Sequence, residues 1–157
     1  MNIFILDIDP SQNAQALCDK HVVKMVLETA QLLCGPFNPG CAPYKRTHYN
    51  HPCAIWTRQS KQNYEWLLEY GEELLLEYTF RYGKTHACTS TIAFCRANYS
   101  SLTLSDIGLT PFAQAMPDQY KQADPVCAYR AYYKGAKSSI AKWNKARLLP
   151  PWYNQSV

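Results

Sequence analysis

Between positions 21 and 31 the chain places His21, Lys24, Glu28 and Gln31 at steps of three and four residues. That spacing projects side chains from one side of an α-helix. An imidazole, an ammonium and a carboxylate sharing one sector can transfer protons or stabilise a cationic intermediate once burial and proximity shift their pKa values. The same spacing fits a solvated face with a weak surface pair of Lys24 and Glu28. Leu17, Met25 and Leu32 border the sector, which favours the floor of a pocket over open surface. Nearly opposite, Val23, Val26, Leu27, Ala30 and Leu33 form the stripe expected to face the core.

A second group of chemically useful residues follows in THYNHP, where His48 and His51 stand three apart. As metal ligands they would need two more partners, for which only His86 or Glu28 can be nominated, so no metal is expected. Contact with phosphates or bases, or capping of the next helix, are the other roles open to them. The third group lies near the C-terminus, where Arg130, Lys134, Lys137 and Lys145 alternate with Tyr132, Tyr133 and Trp143. Cations that meet phosphates and rings that stack on bases make this the composition of a nucleic-acid surface. A solvated basic face over an aromatic core has the same composition. Trp152 and Tyr153 either join such a surface or close the core, and Arg81 and Lys84 would extend the cationic patch.

Charge distribution sharpens this reading. The formal net charge is +4. From Lys121 onward there are seven basic residues against one acidic, giving +6 there and −2 for everything before it. The seven cysteines are odd in number and form no C-x-x-C pair, so they read as reduced thiols. No apolar run approaches the roughly 18 residues of a membrane helix, and the opening MNIFILDIDP has no basic n-region. A cytoplasmic protein without a membrane partner is expected.

The elements that must position these groups follow from caps and breakers. Residues 2 to 8 resemble a strand with no partner strand, and so read as an extended arm. Asp9-Pro10 starts a helix that meets no further Gly or Pro until Gly35-Pro36, predicting helix one over about 10 to 34. Residues 35 to 43 are a loop with three prolines. A second long helix is predicted from Pro52 to about Arg81, stopped by Gly83, and a weaker one over 86 to 100. Asp124-Pro125 starts a final basic helix with the stripe Tyr129, Tyr133, Ala136, Ile140 and Trp143, ending near Lys145. One all-α domain over residues 1 to 157 is expected: a compact helical bundle with two long helices, a basic C-terminal helix and the N-terminal arm.

Leu17-Cys18-Asp19-Lys20-His21, with Glu28 seven positions beyond the histidine, resembles the first helix of phage-type pyrimidine-dimer DNA glycosylases and AP lyases. The resemblance extends to His51 before the second long helix, to Arg81 and Gly83 near its end, and to Pro150-Pro151-Trp152-Tyr153. It implies an N-terminal α-amine that attacks C1′ of a damaged nucleotide, a helix-one glutamate matching Glu28, a DNA-contacting histidine matching His21, and no organic cofactor. Leu27 and Gln31 stand where the family carries arginines, leaving Lys24 as the nearby cation and the fallback nucleophile. Asn2 is bulky enough to hinder methionine removal, so the amine would be that of Met1. An α-amine, with a pKa of about 8 against about 10.4 for lysine, is far more often neutral and nucleophilic at pH 7.

The expected activity is therefore base excision at C1′ of a damaged or modified nucleotide, with DNA as partner. Catalytic candidates are Met1, His21, Lys24 and Glu28. Substrate-binding candidates are Gln31, His48, His51, Arg81, Lys84, Arg130, Lys134, Lys137, Trp152 and Tyr153. Two other classes share these residues: a non-catalytic nucleic-acid-binding or inhibitory protein, and a hydrolase or transferase of free nucleotides.

Overall fold

The computed structural model describes residues 1–154, and every regular element among them is helical. The arm is extended, as expected, but it is interior: Ile3, Phe4, Ile5 and Leu6 are all buried. Burying each such side chain contributes about 1.5–3 kcal/mol, which is what holds an unpaired arm in place. The Tyr70 hydroxyl donates to the Ile3 carbonyl, and Asn13 Oδ1 accepts the Leu6 N–H. Backbone groups that a sheet would have paired are met by these side chains instead.

The predicted helix one is two helices, α1 (Pro10–Ala16) and α2 (Asp19–Cys34). Asp9 caps α1 by accepting from Ser11 and Gln12 N–H groups, and Pro10 fills its first position. No local breaker separates the two; remote residues do. Arg81 donates to the carbonyls of Gln15 and Leu17, Trp143 Nε1 to the carbonyl of Ala16, and the Cys18 N–H donates to the Tyr133 hydroxyl. The carbonyls left open at the end of α1 are thus satisfied from outside the helix.

The second long helix is likewise divided, into α3 (Pro52–Gln59) and α4 (Lys61–Tyr82). Ser60 is extended and its hydroxyl accepts the Asn63 N–H, an ordinary serine cap. Gly83 ends α4 at φ 65°, a left-handed position suited to glycine. α5 (Thr89–Asn98) follows, and α6 (Pro125–Ala136) begins under the Asp124 cap. α6 is shorter than predicted. Its stripe is buried only at Tyr129 and Tyr133, and Trp143 reaches the core after the helix has ended.

α4 is the spine against which α1, α2, α3 and α5 pack. At Gly71 a Cβ would lie 3.2 Å from Thr29 Cγ2 and 3.4 Å from Ile92 Cδ1, so the missing side chain is what lets α2 and α5 approach. Tyr64 and Tyr70 are wholly buried on α4, the first donating to the Leu33 carbonyl at 2.6 Å. One expectation for α2 is corrected. Val23 and Leu27 are exposed, while His21 and Glu28 are buried, so the helix turns its polar sector inward on that side. Among the described residues no helix is long and apolar enough to cross a membrane.

Candidate active site

A cleft of about 430 Å³ opens where the arm, α2, the start of α3, residues 114 to 121 and α6 converge. Met1, Asn2 and Phe4 enter from the arm, and His21, Lys24 and Glu28 from α2. His51 and Pro52 at the start of α3, and Lys121, Tyr132 and Lys137 from the C-terminal part, complete its lining.

The α-amino nitrogen of Met1 lies 3.1 Å from Glu28 Oε1, and both groups are largely shielded from water. Glu28 Oε2 is buried without a hydrogen-bond partner among the described residues. A carboxylate oxygen in that position can accept a proton from the amine side or face a developing positive charge on a sugar. Asn2 fixes the amine. Its Nδ2 donates to the Ala115 carbonyl, and its Oδ1 accepts from the Ile3 N–H and the Tyr129 hydroxyl, all at 2.8 Å.

Phe4 adopts φ 62°, a left-handed backbone that costs a non-glycine residue about 1–3 kcal/mol. Its ring stacks on the His21 imidazole with centroids 4.3 Å apart. On the other side the Tyr133 hydroxyl lies 2.5 Å from His21 Nδ1. Burial, then the positive charges of Lys137 and Lys24, push the His21 pKa down to about 4. At neutral pH the imidazole is therefore uncharged.

His51 caps α3, its Nδ1 accepting the Cys53 N–H at 3.1 Å. Partial burial and then the nearby N-terminal ammonium and His48 hold its pKa below the usual histidine value. His48 is exposed, in a left-handed turn at φ 49°, and lies outside the cleft. Among the described residues no three His, Cys, Asp or Glu side chains gather as a metal site would require.

The other candidates lie elsewhere. Gln31 is half-buried and does not line the cleft: at about 100° per residue it sits roughly 80° around α2 from His21, whereas Glu28 sits roughly 20° away. Arg81 is interior, its guanidinium also 3.1 Å from Asp19 Oδ1, so it braces the α1 to α2 junction and is not presented to a ligand. Lys84 is exposed beyond the end of α4 and outside the cleft. Arg130 donates to the Leu6 carbonyl, stands 5.2 Å from the Trp152 ring and lines a separate cavity with Trp152 and Asp7. Lys134 is half-buried on α6 and does not line the cleft. Trp152 and Tyr153 pack with Tyr133 and Trp143, closing the core.

Phe4, Gln114, Met116 and Lys121 line the cleft without having been singled out from the sequence. Lys121 carried a usable signal, since it opens the cationic C-terminal segment. Residues 114 to 116 carried none, being part of an irregular, proline-broken crossing.

The model of the family described as pyrimidine dimer DNA glycosylase matches residues 1–90. That span contains Met1, His21, Lys24, Glu28 and His51, all of which line the cleft, while Lys121, Tyr132 and Lys137 lie beyond it. No curated protein and no solved structure matches the chain. With more than half of its length covered, the chain belongs to the pyrimidine dimer DNA glycosylase family.

Proposed function

We propose that this protein excises a pyrimidine-dimer base from DNA through attack by the Met1 α-amine, and that the same intermediate then breaks the strand. The observation that carries the reading is the 3.1 Å approach of that amine to Glu28 inside a cleft lined by Lys121 and Lys137. Proximity supplies the first contribution, because an amine fixed on a buried arm attacks with little further loss of freedom.

The chemistry runs in balanced steps. The neutral amine donates its lone pair to C1′ as the glycosidic C–N bond breaks, and the base leaves with that bonding pair and gains a proton. Glu28 accepts the proton shed by the amine and faces the positive charge that develops on the sugar. Ring opening, in which O4′ leaves with the C1′–O4′ bonding pair and takes up the proton held by Glu28, gives a protonated imine between Met1 nitrogen and C1′. Loss of a C2′ proton then expels the 3′ phosphate by β-elimination, and water returns the amine. Reaching C1′ requires the nucleotide to leave the stack, and the cations lining the cleft are suited to hold the flanking phosphates while it does.

Borohydride trapping tests this. Incubation with dimer-containing or abasic duplex and borohydride should leave one DNA strand covalently attached to the N-terminal peptide. The adduct should vanish when the α-amine is blocked by acylation. Base release without any adduct would refute the amine as nucleophile and assign the step to a water activated by Glu28. Glu28→Gln should lower single-turnover excision by at least 100-fold while leaving DNA affinity and its salt dependence in place. Unchanged excision would refute the role of the carboxylate.

A further inference from the structure

Tyr133 is a fully enclosed polar side chain beside the cleft, and the excision chemistry proposed above gives it nothing to do. It is fully buried on α6, yet its hydroxyl lies 2.5 Å from His21 Nδ1. We propose that Tyr133 is a positioning residue that fixes His21 in the neutral tautomer protonated at Nε2, so that the imidazole presents a hydrogen-bond donor to the cleft and does not act as a base. The functional half of this inference rests on reading the cleft as a DNA site; the tautomer does not.

The direction of the Tyr133 hydrogen bond follows from its neighbours. The backbone N–H of Cys18 donates to the Tyr133 oxygen at 3.3 Å, filling one of its acceptor positions. The hydroxyl proton then has two partners, His21 Nδ1 at 2.5 Å and Cys18 Sγ at 3.6 Å. A ring nitrogen at the shorter distance is the stronger acceptor, since thiol sulfur accepts only weakly. Nδ1 that accepts cannot carry the proton of a neutral imidazole, so that proton sits on Nε2.

The ring cannot turn to exchange its two nitrogens. Phe4 stacks on one face at 4.3 Å and Tyr133 meets it edge-on at 5.3 Å. The charged groups acting on it are Lys24 from its own helix and Lys137 from beyond α6, and with burial they keep it uncharged. Nε2 makes no hydrogen bond to the described residues although the side chain lines the cleft. A donor on that ring, in a cleft lined by lysines, suits an oxygen of the sugar–phosphate backbone beside the extruded nucleotide.

Nitrogen-15 spectra of the histidine rings, recorded through their long-range proton couplings, decide the tautomer directly. At pH 7 His21 should show a protonated Nε2, a bare Nδ1 and a slowly exchanging Tyr133 hydroxyl proton correlated with Nδ1. An Nδ1-protonated ring or an imidazolium at that pH overturns the proposal. Tyr133→Phe should move the Nδ1 resonance to that of an unbonded acceptor and lower excision roughly 5-fold, the loss expected of one neutral hydrogen bond. A Tyr133 with a merely structural role would lower stability and leave the His21 resonances where they were, which also overturns it.

Because that variant can fold poorly, two substitutions at His21 give a second test. Gln can donate from near the Nε2 position and Leu cannot. His21→Gln should stay within about 5-fold of the unaltered protein, with His21→Leu losing at least a further 5-fold. Equal, large losses in both would reinstate His21 as a base and overturn the donor role. A protein inactive on every DNA tested would fail the excision reading, and the tautomer would still be read from the spectrum.

Discussion

Acidification should destabilise this fold through His21, by an amount that the burial of the ring sets. Unfolded, the imidazole titrates near its ordinary 6.5; folded, burial and the charges of Lys137 and Lys24 push it down to about 4. Between those values the unfolded chain binds a proton that the folded one refuses, so stability rises with pH across the window and is lost as pH falls through it. A gap from 6.5 to about 4, at about 1.4 kcal/mol per pH unit, corresponds to roughly 3 kcal/mol. The side chain is only 4% exposed, so solvent does little to screen the effect. Urea unfolding at pH 7, 6, 5 and 4, compared between the unaltered protein and His21→Gln, isolates it because the carboxylates common to both cancel. The unaltered protein should start more stable at pH 7, since Gln gives Tyr133 a poorer partner, and should lose about 3 kcal/mol more than the variant by pH 4. Parallel stability curves would refute the claim that the ring is held neutral by its surroundings.

Other expectations follow from single contacts. Arg81→Met removes a buried cation shared by Asp19, Glu77 and the carbonyls of Gln15 and Leu17, and should cost about 3–5 kcal/mol in urea unfolding without altering trapped-adduct chemistry in the folded fraction. Gly71→Val should cost about 1–3 kcal/mol or more, because Thr29 and Ile92 already stand at 3.2 and 3.4 Å from where a Cβ would lie. Lys137→Ala should reduce the slope of log affinity against log salt by about 1 for DNA, measured by fluorescence anisotropy. Asn2→Ala deprives the Ile3 N–H and the Tyr129 hydroxyl of an acceptor, and should slow single-turnover excision more than it weakens DNA binding.

Helix starts were legible wherever chemistry was local. Asp9-Pro10, Asp124-Pro125 and Gly83 each ended or began an element where their caps require. The division at Ser60 was also readable, since a serine cap bonds the N–H three residues on, yet the apolar periodicity running through it dominated. The break at Leu17 and Cys18 was not readable. Arg81, Trp143 and Tyr133 make it, and they stand more than 60 positions away in the chain. The sector of His21 and Glu28 was identified from spacing, while the exposure of Val23 and Leu27 was misjudged. The bordering apolar residues already favoured a pocket floor for that sector; the buried arm that supplies Phe4 and the Met1 amine, and makes the inward orientation favourable, was not legible. The early end of α6 has a similar cause: the residues after Ala136 are drawn back so that Lys142 and Asn144 can meet Asp19.

Two parts of the chain divide the cleft between them, and on the proposed mechanism one would carry the reaction and the other its grip on DNA. The amine, Glu28 and His21 come from the stretch that the family model matches; Lys121, Tyr132 and Lys137 do not. Tyr70, Asn13 and Glu28 hold the arm from within the matched stretch, but they do not hold it alone. Asn2 reaches Ala115 and Tyr129, and His21 reaches Tyr133, so the arm is tied down by residues more than 110 positions away. Those ties also bring the cationic C-terminal quarter of the chain against the shielded cleft that holds the amine, the carboxylate and the imidazole. A terminus free in solution would lose most of the advantage of proximity, because displacement by about 1 Å can cost about 100-fold in rate. On the proposed mechanism, the contacts that assemble the cationic side of the cleft are thus the same ones that aim the amine, and a change near Ala115, Tyr129 or Tyr133 that loosens the arm should act on the chemical step as well as on DNA affinity.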